Sequence, residues 1–136
     1  MSARRVIVTT TAVYAALGLA LAIFGPAMLQ LYGFPARPSA QMPGDIWWNA
    51  ASFARLFGIT LAGLAVIVWS LRSSDAVSQQ KLIASLAVAN VFIAAFSFGQ
   101  WRTVWGTNFG ILTVFLFALL ALLSLIRVAE FQRDLG

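Results

Sequence analysis

Arg55, Tyr14 and Asn90 are the residues whose side chains can do chemistry from within long apolar stretches of this chain. A guanidinium is a permanent cation with five N–H donors, suited to an anion, a lipid headgroup or a carbonyl oxygen. A phenol and a carboxamide offer hydrogen bonds without net charge. Together they can recognise a group or stabilise charge, but none is a ready proton acceptor near neutral pH. The usual partners are missing or placed elsewhere. There is no His and no Cys, which removes the commonest general base and metal ligand, thiol chemistry and disulfides. Asp45, Asp75, Glu130 and Asp134 lie outside the apolar runs, so no close carboxylate pair is expected at mid-membrane. Proton-coupled four-helix antiporters need such a carboxylate within a span. The chain also has no phosphate-cradling glycine loop, zinc-ligand spacing or Ser-His-Asp set.

The elements that must position these groups follow from composition. The 136 residues are 61% hydrophobic and 10% charged, whereas soluble domains are about 25% charged. A soluble core of this size cannot hide so much apolar surface, so the bilayer is the expected solvent. Apolar runs over residues 6–24, 50–71, 82–98 and 109–126 are each about 17–22 residues, near the roughly 20 that cross the hydrocarbon. Short links give neighbours that run in opposite directions. The expected fold is therefore an all-α, antiparallel up-down bundle of four transmembrane helices, one membrane domain over residues 1–136. The first run follows Arg4-Arg5 as in a signal peptide, but it exceeds a signal core of about 7–15 residues and is expected to remain as a span.

Gly25-Pro26 should end or kink the first helix, because Pro26 has no N–H to donate to Ala22. One further turn or a short interfacial helix is expected over residues 27–32, stopped by Gly33. Pro35, Pro38 and Pro43 make the rest of an outer loop over 25–49 extended. Ser78 is the expected cap of the third helix. The net charge of +5 is scattered at the ends of the runs, which suits topology signals and lipid phosphates rather than nucleic acid. Arg4, Arg5, Arg72, Lys81, Arg127 and Arg133 fall on one side, Arg37 and Arg102 on the other. The positive-inside rule then puts both termini in the cytoplasm. Arginine dominates over the single Lys81, a hint of a bacterial source and thus of the bacterial cytoplasmic membrane. Trp47, Trp48, Trp101 and Trp105 gather at the outer boundary and Trp69 at the inner one. An interfacial belt accounts for them, and so does an aromatic ring around an outer-leaflet pocket.

Helical spacing places the faces. Arg55 shares one with Ala51, Ser52, Gly58 and Ala62, small residues that allow close helix approach and should point inward. Arg55 would sit roughly 6–8 Å below the outer boundary, reaching for Asp45 or a lipid phosphate. It reads either as a structural anchor or as an anion or headgroup site. Asn90 shares a face with Ala87, Ala94, Ser97 and Trp101. Tyr14, Thr60 and Asn90 should form one mid-membrane layer, either interhelical hydrogen bonds or a small polar pocket. The fourth run carries Phe109, Thr113, Phe117, Leu120 and Ser124 on one face, with a Gly106–Gly110 spacing at its start. Its Leu/Phe-rich surface is the best candidate for contact with lipid or a partner helix.

Arg55-Leu-Phe-Gly58 followed by Gly63 opens the second span with the pattern R-x-x-G-x-x-x-x-G, after a first span ending in Gly25-Pro26 and Leu31-Tyr32-Gly33-Phe34. Over residues 6–126 the combination resembles the broad DoxX-like group of small bacterial four-helix membrane proteins. The resemblance implies a small membrane subunit, in some cases of a redox complex near quinone chemistry. It transfers Arg55, Gly58 and Gly63 as a structural match. A family role resting on histidine does not transfer.

Several functions remain open at this point. The leading expectation is a non-catalytic subunit or accessory protein that packs with a larger membrane complex or with itself. The alternative is a binder or carrier of a lipid or quinone-like amphiphile at the outer leaflet. In that reading Arg55 holds the head, Trp47, Trp48 and Trp101 flank it, and Asn90, Gln100 and Tyr14 add polar contacts. No catalytic residue or metal ligand is assigned, and a bound lipid or quinone is the only cofactor considered. A membrane enzyme would need its substrate or cofactor to supply the reactive group. A channel would need a charged ring formed by an oligomer.

Overall fold

The computed structural model describes residues 2–133, without the side chain of Trp105. Asp134, and Trp105 as a belt residue, therefore lie outside the described residues. Four long helices run over Ala3–Leu31 (α1), Gly44–Ser70 (α2), Ala76–Gln100 (α3) and Asn108–Arg133 (α4). All four are long and apolar enough to cross a membrane. α1, α3 and α4 extend past both ends of their expected apolar runs, and α2 past the start of its own, ending at Ser70 before a 3-10 turn over Leu71–Ser73. The 29 residues of α1 span roughly 40 Å at 1.5 Å each, more than the hydrocarbon thickness of about 30 Å.

The ends have local causes. Ser2 accepts a hydrogen bond from the Arg5 N–H at the start of α1. Gly25-Pro26 kinks α1 rather than ending it: Phe24 leaves helical geometry (φ −108°, ψ 27°) and the helix resumes to Leu31. Gly33 then takes φ +90°. The Phe34 N–H bonds the Leu29 carbonyl and the Gly33 N–H bonds that of Gln30, the Schellman arrangement that favours glycine. Phe34 packs against the small cluster of Leu29, Trp47 and Ala51. The proline loop is short, with Ser39 and Met42 bridged, and α2 begins at Gly44. Trp47 and Trp48 are therefore inside a helix rather than ahead of it.

Asp75, not Ser78, caps α3. Its carboxylate accepts from the Val77 and Ser78 N–H groups, while the Ser78 hydroxyl donates to it as well. Asp presents its acceptor one turn earlier than Ser78, which takes the third helical position. The Ser78 hydroxyl and then the Ser78 N–H hold the Asp75 carboxyl below the usual carboxylate range. A π-turn over Trp101–Trp105 extends α3 and closes at Gly106 in the left-handed region (φ 54°). Gly106 is thus a chain-reversal residue rather than half of a packing motif.

α1 packs along α2 and α3 along α4. The α1–α2 contact is set by glycine. A Cβ on Gly18 would lie 2.7 Å from the Ala62 nitrogen, and one on Gly58 would collide with the Ala22 nitrogen and the Gly18 carbonyl. The two pairs meet through α1, which touches α4 and α3, whereas α2 and α3 barely touch. The main core lies in this seam, around Tyr14, Leu61, Val68, Ile83, Phe117 and Leu120. A satellite core joins Leu29, Trp47 and Ala51. On α4, Thr113, Phe117, Leu120 and Ser124 face inward. The outward side of α4 is not distinctive, because α2 and α3 expose Phe53 and Phe92 more fully (both 71%) than α4 exposes Phe115 (66%).

Candidate functional site

The gap between α2 and α3 forms an apolar groove of about 650 Å³. Ala50, Phe53, Ala54 and Phe57 line it from α2, and Phe92, Ile93 and Phe96 from α3. Leu17, Leu21 and Leu29 of α1 and Phe117 of α4 form its floor. The exposed rings of Phe53, Phe92 and Phe96 stand at its mouth, so it opens sideways, toward the surface where lipid tails would lie. No Lys, Arg, Asp or Glu lines it.

Its polar groups gather at one end: Tyr32, Ser97, Gln100 and Thr113. Tyr32 and Thr113 satisfy each other, with hydroxyls 3.0 Å apart, and Thr113 also donates to the Phe109 carbonyl. Nearby, Thr107 donates to the Leu31 carbonyl at 2.9 Å and accepts from the Gly110 N–H. These bonds tie the end of α1 to the start of α4. Ser97 and Gln100 differ. Thr60, Ser85, Thr103 and Ser124 each donate to a carbonyl four residues back, the usual way a helical hydroxyl is satisfied. Ser97 is only 4% exposed, yet neither its hydroxyl nor the Gln100 amide has a partner among the described residues.

A second polar cluster lies at mid-depth. Tyr14 donates to the Asn90 Oδ1 at 2.8 Å, joining α1 to α3 inside the core. The Asn90 Nδ2 and the Thr10 and Thr11 hydroxyls are buried without a partner among the described residues. Thr60 does not join this layer. It is exposed and bonds its own helix at Leu56, because the small-residue face of α2, rather than the Thr60 face, turns inward.

The remaining expected site residues separate. Arg55 is exposed, and its stem crosses α1 at Gly25, where an added Cβ would sit 2.9 Å from the Arg55 Cγ. It is absent from the groove lining, and it has no hydrogen-bond or ionic partner among the described residues, Asp45 included. Of its expected face Ala51 and Gly58 are buried and Ala62 is half-buried, but Ser52 is exposed and the long Arg55 side chain runs past them to the surface. Trp47 is buried and donates its indole N–H to the Pro35 carbonyl at 2.8 Å. Trp48 packs edge-on against Trp47 and is exposed. Trp101 packs on Phe98 at 5.9 Å. Of the expected set only Gln100 lines the groove. Among the described residues no three His, Cys, Asp or Glu side chains cluster where a metal ion could be held.

No family model, curated protein or solved structure matches this chain.

Proposed function

We propose that this chain is a non-catalytic, multi-pass protein of the bacterial cytoplasmic membrane that binds or carries an amphiphile in the groove between α2 and α3. The observation that carries this reading is an apolar, laterally open groove with unpaired polar groups at one end only. Ligand sites are mostly apolar with a few convergent polar groups, and about 300–1,000 Å³ suits a drug-sized body. The reading moves the binding site away from Arg55 and its tryptophans and keeps Gln100. The helices run up-down with both termini cytoplasmic, as the positive-inside rule suggests. The groove then opens into the outer leaflet, because its polar end lies beside the Trp101–Trp105 turn.

Native mass spectrometry of chain extracted from its own membrane tests the reading. Wild type and Leu119→Phe, changed on an exposed face, should retain the same amphiphile, and Ala54→Phe, which fills the groove, should lose it. Equal retention by all three would remove the groove as the site.

A second reading is an accessory subunit packing against a larger complex or a second copy through exposed apolar faces, of which the row Leu112, Phe115, Leu119 and Leu122 along α4 is one among several. The DoxX-like resemblance points the same way. Mild-detergent purification from the native membrane should then yield a complex, and a bare monomer would count against it.

A further inference from the structure

We infer that the groove selects uncharged, oxygen-headed lipids, of the diacylglycerol kind, over anionic lipids. This rests on the groove being a binding site. Three observations carry it. The first is charge: no ionisable cation or anion lines the groove, and the nearest candidate from the sequence, Arg55, packs its stem over Gly25 instead. An anionic head placed there would lose its water with only neutral donors, and no cation, to offset its charge. The second is the unpaired pair at the polar end. Ser97 can donate one hydrogen bond and accept others, and the Gln100 amide offers two donors and one acceptor. A head bearing both hydroxyl and ester carbonyl oxygens satisfies both residues, whereas a hydrocarbon satisfies neither. The third is that Tyr32 and Thr113 are already bonded to each other, so they wall off the polar end without competing for the head.

The placement follows. The head rests on Ser97 and Gln100, and one chain runs along Leu21 and Leu17 toward Phe117. The remaining chain leaves between Phe53 and Phe92 into the bilayer. In native helices a buried hydroxyl left unpaired in apolar surroundings is unfavourable. The Thr10 and Thr11 hydroxyls also lack a partner among the described residues but are enclosed, whereas Ser97 lines the groove, where a ligand can complete it.

The protein in phosphatidylcholine vesicles is exposed to trace diacylglycerol or phosphatidic acid carrying the same diazirine-bearing chain. After illumination, labelled residues are mapped. Diacylglycerol should label the groove walls around Phe57 and Phe96 above the outward face of α4, and phosphatidic acid should not. Gln100→Leu should weaken groove labelling about fivefold, the factor for one lost hydrogen bond. Gln100→Asn should retain most of it. Labelling of the groove by phosphatidic acid as strongly as by diacylglycerol overturns the selectivity while leaving the groove a binding site. Failure of both probes to label it above the α4 face overturns the binding reading itself. Undiminished labelling in Gln100→Leu together with a Ser97→Ala chain removes the assigned head contact.

Discussion

The Tyr14–Asn90 hydrogen bond is the polar contact that crosses the core between the two helix pairs at mid-depth. Interhelical bonds of this kind average about 0.6 kcal/mol in membranes and reach at most ~1.7 kcal/mol. Tyr14→Phe should destabilise the fold within that range, because it also strands the Asn90 Oδ1 in the core. Asn90→Leu removes an already unpaired Nδ2 with it, so the double variant should cost less than the two single losses combined. Unfolding equilibria in lipid bicelles measure the four chains, and simple additivity would show that the bond contributes nothing. Tyr14 and Asn90 were legible in the sequence because each is polar at the centre of an apolar run. Ser97 was placed on the Asn90 face by spacing alone. Its unpaired hydroxyl was not legible, because helical Ser normally bonds its own backbone. Arg55 misled for a related reason: spacing gives the direction of a Cβ, whereas a long side chain decides its own exit.

At the scale of elements, α1 and α2 are held by backbone approach at Gly18 and Gly58, and the two glycines of the R-x-x-G-x-x-x-x-G pattern differ in kind. A Cβ on Gly58 meets backbone, whereas one on Gly63 meets nothing within 4 Å. Gly58→Ala should therefore destabilise by about 1–3 kcal/mol, as overpacking does. Gly63→Ala should be neutral or mildly stabilising, since alanine is the better helix former. Equal effects in a thermal-stability assay would contradict the crossing. The start of α3 adds a pH dependence. Asp75 titrates below the usual carboxylate range, chiefly through the Ser78 hydroxyl. Such a group stabilises the fold when ionised and loses that contribution as pH falls through its folded-state value. Acidification should fray the Val77 and Ser78 amides, measured by hydrogen exchange, and Asp75→Asn should flatten the profile. An unchanged profile in the variant would assign the fraying to another group. The helices themselves were readable from apolar runs, but their ends were not: capping by Asp75 and continuation through Pro26 depend on single side chains and on a kink.

For the whole molecule, the sequence announces four apolar helices in a bilayer but not which of them separate. The groove exists because α1 and α4 carry the seam while α2 and α3 turn phenylalanines to each other across a gap. That is a tertiary choice which periodicity within single helices does not encode. The up-down topology is open to a clean test, since the chain has no Cys. Ser39→Cys should react with an impermeant maleimide from outside intact cells and Ser74→Cys only after permeabilisation. The reverse pattern would invert the orientation. The groove claim is tested most directly by a crystal structure of the chain grown in a lipidic mesophase doped with diacylglycerol. Elongated density is expected between α2 and α3, with its head within hydrogen-bond distance of Ser97 and Gln100. An α2 packed directly against α3, with the phenylalanines interlocked and no space between them, would contradict it.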